Sequence, residues 1–512
     1  FCRDSDVIAV VSLFGLTLIT RLPFSGAILY HWDSINFALA LEHFDVALGQ
    51  PHIPGYLLYV LLGRGVNLVF QDAQHTFVTV SAIGSALAVT MLYFLGKRIY
   101  DQRTGVYAAL FLAFSPLYWF YGCVALPHSL DAFIVIFLVY LMVLILQGRQ
   151  ELAIPAAIAL GIAGGFRPQT EVFLLPLVIY AGTKLKRRMQ VQASTALVLT
   201  NLAWLIPLLW MSGGITSYLS VIRDYTIAFN QTTSVFMGGG IWGVQRNLLK
   251  IGMYTLYAWG AAILLVMAAI VKLLRKPQEW AKEAWHDFRW KVYTLWILPP
   301  LVYYVLVHMG QQGLVFVYLP ALLLLSAAGL NYLPTRRWVS KQGITAGVIM
   351  ANAAIFLFVP TFPLGGNGFK LTTLDTLKGH EGSYLTKIEE IHERFPPEHT
   401  VILSAEWRFM EYYLPEFPRI PYEIGSRWEV NEGQPTLSSD VWFSGAEMGL
   451  APSKDGKFTL ILFEEELKGF VDNPDLLQVT RLDNSDVLYY LTFDALQQIH
   501  LSPHGLTIEE RY

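Results

Sequence analysis

Charge is scarce in this chain. Of its 512 residues only 15% are Asp, Glu, Lys or Arg, and 54% are apolar. Soluble domains average about 25% charged and 45–50% apolar, so a wholly soluble protein is excluded. An excess of cations is missing too: 36 Lys and Arg stand against 39 Asp and Glu, a formal charge of -3. Without a global basic field, nucleic acid is not an expected partner. Cysteine is nearly absent, and Cys2 and Cys123 cannot build a disulfide framework. The last 150 or so residues contain no Gly-rich phosphate loop, no paired Cys/His metal spacing and no G-x-S-x-G elbow. No internal repeat is visible, which argues against a transporter built from related halves.

What the chain has is apolar length. Mean hydropathy is +0.44, and the excess is concentrated between Val7 and Pro360. A bilayer span takes about 20 apolar residues, within a range of about 17–25. Runs that meet or approach this are 7–23, 77–96, 104–120, 129–147, 152–164, 169–182, 194–212, 252–274, 290–308, 314–332 and 342–360. The pair 152–164 and 169–182 is short, as tilted or partly re-entrant segments are. Asp4 and Asp6 precede the first run and no small-x-small site follows it. A retained helix is therefore expected in place of a signal peptide, and Phe1 in first position leaves the native N-terminus expected upstream. The expected fold class is a polytopic α-helical membrane protein with about eleven spans and a small C-terminal α/β domain. The expected domains are 1–360 and 361–512.

Orientation follows the cations of short loops. Lys97, Arg98 and Arg103 form one cluster; Lys184, Lys186, Arg187 and Arg188 a second; Arg275, Lys276, Lys282 and Arg289 a third; Arg336, Arg337 and Lys341 a fourth. All four share one face if the N-terminus is inside and 54–70, which contains Gly63, Arg64, Gly65 and Asn67, is an interfacial helix. The opposite, cation-poor face then carries loop 24–76, loop 213–251 and the tail, and Cys2 and Cys123 lie on opposite sides. In the tail, 400–404, 458–463 and 487–492 read as strands, and 379–394 and 406–413 as helices. This alternation suggests a layered α/β unit. Its lack of catalytic motifs favours a structural or acceptor-docking role.

Polar residues with chemical potential gather on the cation-poor face. Asp33 follows the first span at the membrane–water boundary; it is either a reactive acid or an ordinary acid at a helix end. Arg167, bounded by Gly164, Gly165 and Pro168, suits a planar phosphate clamp or simple snorkelling. His52 either bonds an anion or stabilises a turn. Asp131, three residues after His128, sits where an acid also favours a helix N-terminus. Arg64 meets phosphate or lipid headgroups. In loop 213–251, Arg223 and the stretch Gly238–Gly243 suit a mobile wall over a substrate or an amphipathic surface. Asn230 heads a glycosylation-type triplet, and His308–Gln312 is a further possible phosphate contact.

The residues Asp33, Ser34, Phe37, Ala38 and Ala40, followed by the run from His52 through Pro54, Gly55 and Tyr56 to Arg64, form a pattern. It resembles the first outer loop of GT-C membrane glycosyltransferases of the family 39 type. That group includes protein O-mannosyltransferases, aminoarabinose transferases and relatives with an H-P-P-G-Y loop. The likeness continues in Lys97–Tyr100 with Gly105, Tyr107 and Ala108, in Ser115–Pro116, in Ala125–Asp131 and in Gly164–Pro168. It covers roughly residues 7–182. It implies an inverting transferase that moves a hexosyl or pentosyl unit from a polyprenyl-phosphate donor to an acceptor hydroxyl on a lipid, protein or glycan. Asp33 matches the general base, Arg167 the cation near the lipid phosphate, His52 the loop histidine and Asp131 an assisting acid. His128, Arg64 and Arg223 are further substrate-binding candidates.

Two positions depart from the pattern. Ser34 and Asn36 stand where several relatives have a second acid, so a divalent metal held by paired carboxylates is poorly supported and no cofactor is expected. Ile53–Pro54 stands where Pro-Pro is usual. The expected setting is a bacterial cytoplasmic membrane, with the site and tail on the extracytoplasmic face and membrane lipids or a membrane protein as further partners. Two other classes compete with the transferase: a lipid or glycan flippase, and a non-catalytic subunit derived from this fold. The flippase is opposed by the lack of an internal repeat and by candidate polar residues gathered at one face. A scaffold has no need for Asp33, His52 and Arg167 together, while an enzyme that had lost activity would retain part of that set.

Overall fold

A computed structural model describes residues 4–230, 233–273, 287–333, 340–365, 369–422, 441–482, 486–502 and 505–510. Cys2, Arg275, Lys276, Lys282, Arg336 and Arg337 lie outside the described residues, as does most of the triplet headed by Asn230. The chain divides into two compact units. The first comprises Phe1–Leu29 and Asn36–Leu377, the second Tyr30–Ile35 and Lys378–Tyr512.

The helical unit runs past residue 360 to Leu377 for a local reason. Tyr257 donates to the Thr372 carbonyl at 2.7 Å, Thr372 donates to Gln312 at 2.9 Å, and Leu371 N–H bonds the Thr361 carbonyl at 2.9 Å. These bonds tie 361–372 to the helical unit. The assignment of 30–35 to the second unit has no counterpart in the sequence reading.

The helical unit contains α1 (Asp4–Arg21), the greater part of α2 (Trp32–Glu42), α3 (Leu57–Phe70), α4 (Ala73–Ile99), α5 (Gln102–Ala113), α6 (Pro116–Tyr121), α7 (His128–Leu146), α8 (Ala153–Phe166), α9 (Pro168–Gly182) and α10 (Arg187–Met211). It continues through α11 (Ile215–Asn230), α12 (Gly240–Trp259), α13 (Ile263–Leu273), α14 (Phe288–Leu306), α15 (Leu319–Gly329) and α16 (Lys341–Phe358). Among the described residues, each of the apolar runs read from the sequence is largely helical. Among the described residues six segments are long and apolar enough to cross a membrane: Asp4–Phe24, Ala73–Ile99, His128–Leu146, Arg187–Met211, Gly240–Ala268 and Lys341–Phe358. The other runs are shorter, interrupted or less apolar. Ser115–Pro116 breaks 104–120 into α5 and α6, because Pro116 has no N–H and the Ser115 hydroxyl caps the new helix at Tyr118.

Small residues set the spacing of the central helices. A Cβ on Gly96 would stand 2.7 Å from the Gly105 Cα, and one on Gly84 2.8 Å from the Leu130 Cα. These close approaches let α5 and α7 lie directly on α4, the usual means of packing without a hydrophobic driving force. At the cation-rich end, buried Asp6 of α1 accepts from Tyr93 and Lys97 of α4, each at 2.5 Å. Loop 213–251 is not a loop: α11 and the start of α12 occupy most of it.

The second unit is a small α/β layer. Strand β1 (Thr400–Ser404) lies between β2 (Arg419–Pro421) and β4 (Lys457–Leu462), parallel to both. Next come β6 (Val487–Asp494), antiparallel to β4, and β5 (Gln478–Arg481). A second sheet joins β3 (Val441–Phe443), β7 (Gln497–Ser502) and β8 (Gly505–Glu510). Val401, Leu403, Leu460, Leu462, Leu491 and Phe493 of the first sheet share one core with Phe443, Ile499, Leu501 and Leu506 of the second. Helix α17 (Leu374–Arg394) leads into this unit and α18 (Trp407–Tyr413) follows β1.

Candidate active site

The acid expected to act as base sits in the first turn of α2. Ser34 and Ile35 N–H groups bond the His31 carbonyl at 2.8 and 3.2 Å, starting the helix. The Asp33 N–H donates to His31 Nδ1 at 3.0 Å, so the imidazole acts as the cap. His31 Nδ1 also lies 3.9 Å from Asp33 Oδ2. The carboxylate is half-buried at a helix N-terminus, a favourable place for negative charge. Its neighbours fix the segment within the second unit: Trp32 packs edge-on against Trp407 at 5.2 Å, and Tyr30 against His380 at 5.1 Å. His31 was not singled out from the sequence. Its position two residues before an acid at a helix start is the signal that points to it.

In the helical unit the chain folds Asp131 and Arg167 together. Arg167 is the single residue between α8 and α9, extended at φ -158° and ψ 102°, with Pro168 opening α9. Its Nη1 donates to Asp131 Oδ2 at 2.7 Å, and the Thr170 hydroxyl donates to Oδ1 at 2.6 Å. Both partners are only 5% exposed, so this is a buried ion pair in which both carboxylate oxygens are engaged. Burial opposes charge on Arg167, but the Asp131 carboxylate beside it more than offsets this and the guanidinium stays cationic. Arg167 Nε and Tyr304 Oη are buried polar atoms with no hydrogen-bond partner among the described residues.

The other sequence candidates separate by environment. The His52 ring lies 5.3 Å from Phe37 and 5.0 Å from Tyr56, inside an aromatic group that continues to Tyr59 and Phe77. Tyr56, at φ 40°, turns the chain from that loop into α3. His128 opens α7, with Nε2 2.6 Å from Gln311 Oε1 and its ring 5.1 Å from Tyr121. Arg64 donates to the Leu41 and Ala40 carbonyls at 3.0 and 2.9 Å, a cation closing the C-terminal end of α2. Arg223 is exposed and bonds its neighbour Asp224 at 3.2 Å.

A second cationic group forms on α12. Arg246 and Lys250 are one turn apart on one face. Among the described residues neither makes an ion pair. Asn247 fastens this face to the 305–309 segment: it donates to the Thr233 carbonyl at 3.0 Å and accepts from the Met309 N–H at 3.3 Å. Arg246 reaches the Met309 carbonyl at 3.4 Å. His308 lies 3.1 Å from the Thr233 hydroxyl. Burial, then Arg246 and Lys250, push the His308 imidazole down to about 4, so it is neutral at physiological pH. Among the described residues no three His, Cys, Asp or Glu side chains gather closely enough to hold a metal ion.

Residues 54–211 match the sequence model of the family described as dolichyl-phosphate-mannose-protein mannosyltransferase. Comparison with curated proteins returns no match. The fold is similar to that of ArnT from Cupriavidus metallidurans bound to undecaprenyl phosphate, with a TM-score of 0.57 and 11% identity over 95% of this chain and 97% of that one. The apo state of that protein gives a TM-score of 0.53 and 12% identity over the same shares. At such identities the likeness is one of fold. The resemblance read from the first outer loop is borne out: the chain has the GT-C fold of membrane glycosyltransferases.

Proposed function

We propose that this protein transfers a monosaccharide from a polyprenyl-phosphate carrier to an acceptor hydroxyl, inverting the anomeric centre. The observation that carries the reading is the position of the family match. It spans Tyr56, Arg64, Asp131 and Arg167, the stretch that the fold folds back onto one buried ion pair. The ArnT chain of like fold was crystallised with undecaprenyl phosphate, which supports a polyprenyl carrier here. The site lies at the extracytoplasmic face of a bacterial cytoplasmic membrane, opposite the Lys/Arg clusters.

The chemistry needs one base and one anion site. The acceptor oxygen bonds the anomeric carbon as the bond from that carbon to the phosphate oxygen breaks. The acceptor proton passes to Asp33, and the carrier leaves as a phosphate monoester. A positioned carboxylate contributes roughly 10²–10⁴-fold to such a step. His31, capping the same turn, is a positioning residue for Asp33. The leaving phosphate needs charge stabilisation rather than a proton. Within the helical unit, Arg246 and Lys250 are cations without an acidic partner among the described residues, whereas Asp131 already balances the charge of Arg167.

Donor kinetics in proteoliposomes test this division. Arg246→Gln and Lys250→Gln each raise the KM for a polyprenyl-phosphate sugar by about tenfold or more, the size of one charge-assisted contact. Unchanged donor KM in both variants removes the proposed phosphate site.

A further inference from the structure

The helical unit contains a cavity on its cation-rich side that the transfer chemistry does not use. It lies between the last turns of α7 and α9 and the first turns of α8 and α10, with a volume of about 410 Å³. Small-ligand sites span roughly 300–1,000 Å³. Ala153, Ala156, Ala157 and Ala193 leave the space open, and Met142 and Leu197 line it with apolar surface. Its mouth opens sideways: Leu175 is 38% and Ile179 61% exposed, as on a surface that meets hydrocarbon. One polar device closes its end, where Gln190 Nε2 of α10 donates to the Gly182 carbonyl of α9 at 2.9 Å.

The charges at that end are mostly positive; the nearby Glu151 is paired with Arg149. The α9–α10 connection carries Lys184, Lys186, Arg187 and Arg188, all exposed, directly beside the lining residues Thr183, Leu185 and Gln190. Among the described residues none of the four forms an ion pair, and the first turn of α10 has no acid. Arg187 and Arg188 sit at a helix N-terminus, where the macrodipole disfavours cations and favours an anion. An apolar slot open to the bilayer, ending in four uncompensated cations at headgroup level, matches one ligand class in both halves.

We propose that this cavity binds the acyl chain of an anionic diacyl phospholipid from the leaflet on the cation-rich face, with its phosphate headgroup held by the Lys184–Arg188 cluster. Native mass spectrometry of the full chain, released from nanodiscs of equimolar phosphatidylglycerol and phosphatidylcholine with matched chains, tests it. One phosphatidylglycerol stays bound per protein, preferred over phosphatidylcholine by about tenfold or more, as several basic contacts to an anionic headgroup provide. The combined variant Lys184→Gln, Lys186→Gln, Arg187→Gln and Arg188→Gln alters only exposed side chains and brings that preference close to one. Ala193→Phe, which fills the cavity, removes the retained lipid. Equal retention of both lipids by the unaltered protein overturns the proposal. So does wild-type lipid retention in a folded Ala193→Phe protein, or displacement of phosphatidylglycerol by equimolar polyprenyl phosphate.

Discussion

Arg167 and Asp131 lie 36 positions apart in sequence and 2.7 Å apart in space. Each residue type was legible as chemically loaded, one as a phosphate clamp and one as an assisting acid. Their pairing was not, because it depends on the helix ends α7 and α8–α9 meeting in three dimensions. The consequence is energetic. Removing one partner of a buried pair leaves the other charge uncompensated and costs about 3–5 kcal/mol. Arg167→Ala therefore lowers the unfolding free energy in detergent by about that amount, and Asp131→Asn added to Arg167→Ala recovers a large part of it. A double-variant loss equal to the sum of the two single-variant losses would show that the pair is not coupled. His308 gives a pH dependence with a definite sign. Its folded value is about 4 against an ordinary 6.5. As pH falls from 6.5 towards 4, the unfolded chain takes up a proton that the folded chain does not, so stability falls across that window. It is fully present above 6.5. His308→Gln flattens this limb of a melting-temperature-against-pH curve.

Helix α2 carries the proposed base at its first turn and is closed at its last by Arg64, from the middle of α3. In the sequence Arg64 was a candidate for phosphate or headgroup binding; in the fold both described contacts of its guanidinium are to the carbonyls of Ala40 and Leu41. Hydrogen bonds to a charged group contribute about 1.5–3 kcal/mol. Arg64→Met, which keeps the apolar stem, lowers stability by about that amount and leaves the KM for the donor unchanged. A raised donor KM without a stability loss would return Arg64 to the substrate site. The apolar runs were readable as helices because hydrophobic length is a strong signal. Helix α11 was missed because Gly213, Gly214 and the glycines from Gly238 to Gly240 gave its region the look of a loop. In the tail, β1, β4 and β6 were legible from their apolar β-branched and aromatic runs. The polar alternation of β5, an edge strand that buries only Thr480, hid that strand, and β7, central in its sheet, has only Ile499 and Leu501 buried among polar neighbours.

At the scale of the whole chain, the apolar excess has become a helical bundle of the GT-C fold. The sequence placed the first outer loop in the membrane domain. The contacts of Trp32 with Trp407 and Tyr30 with His380 group residues 30–35 with the C-terminal unit instead. No local pattern carries that information, because each partner lies more than 300 positions away in the chain. The tail therefore has a share in holding the turn that presents Asp33. The account as a whole rests on that carboxylate. The direct measurement is transfer by the purified full-length protein in proteoliposomes supplied with a polyprenyl-phosphate sugar and a hydroxyl acceptor, comparing Asp33→Asn with the unaltered chain. The account predicts a loss of kcat of about 10²-fold or more, with donor affinity retained because Asn keeps the size and removes only the base. Undiminished turnover in Asp33→Asn would contradict it.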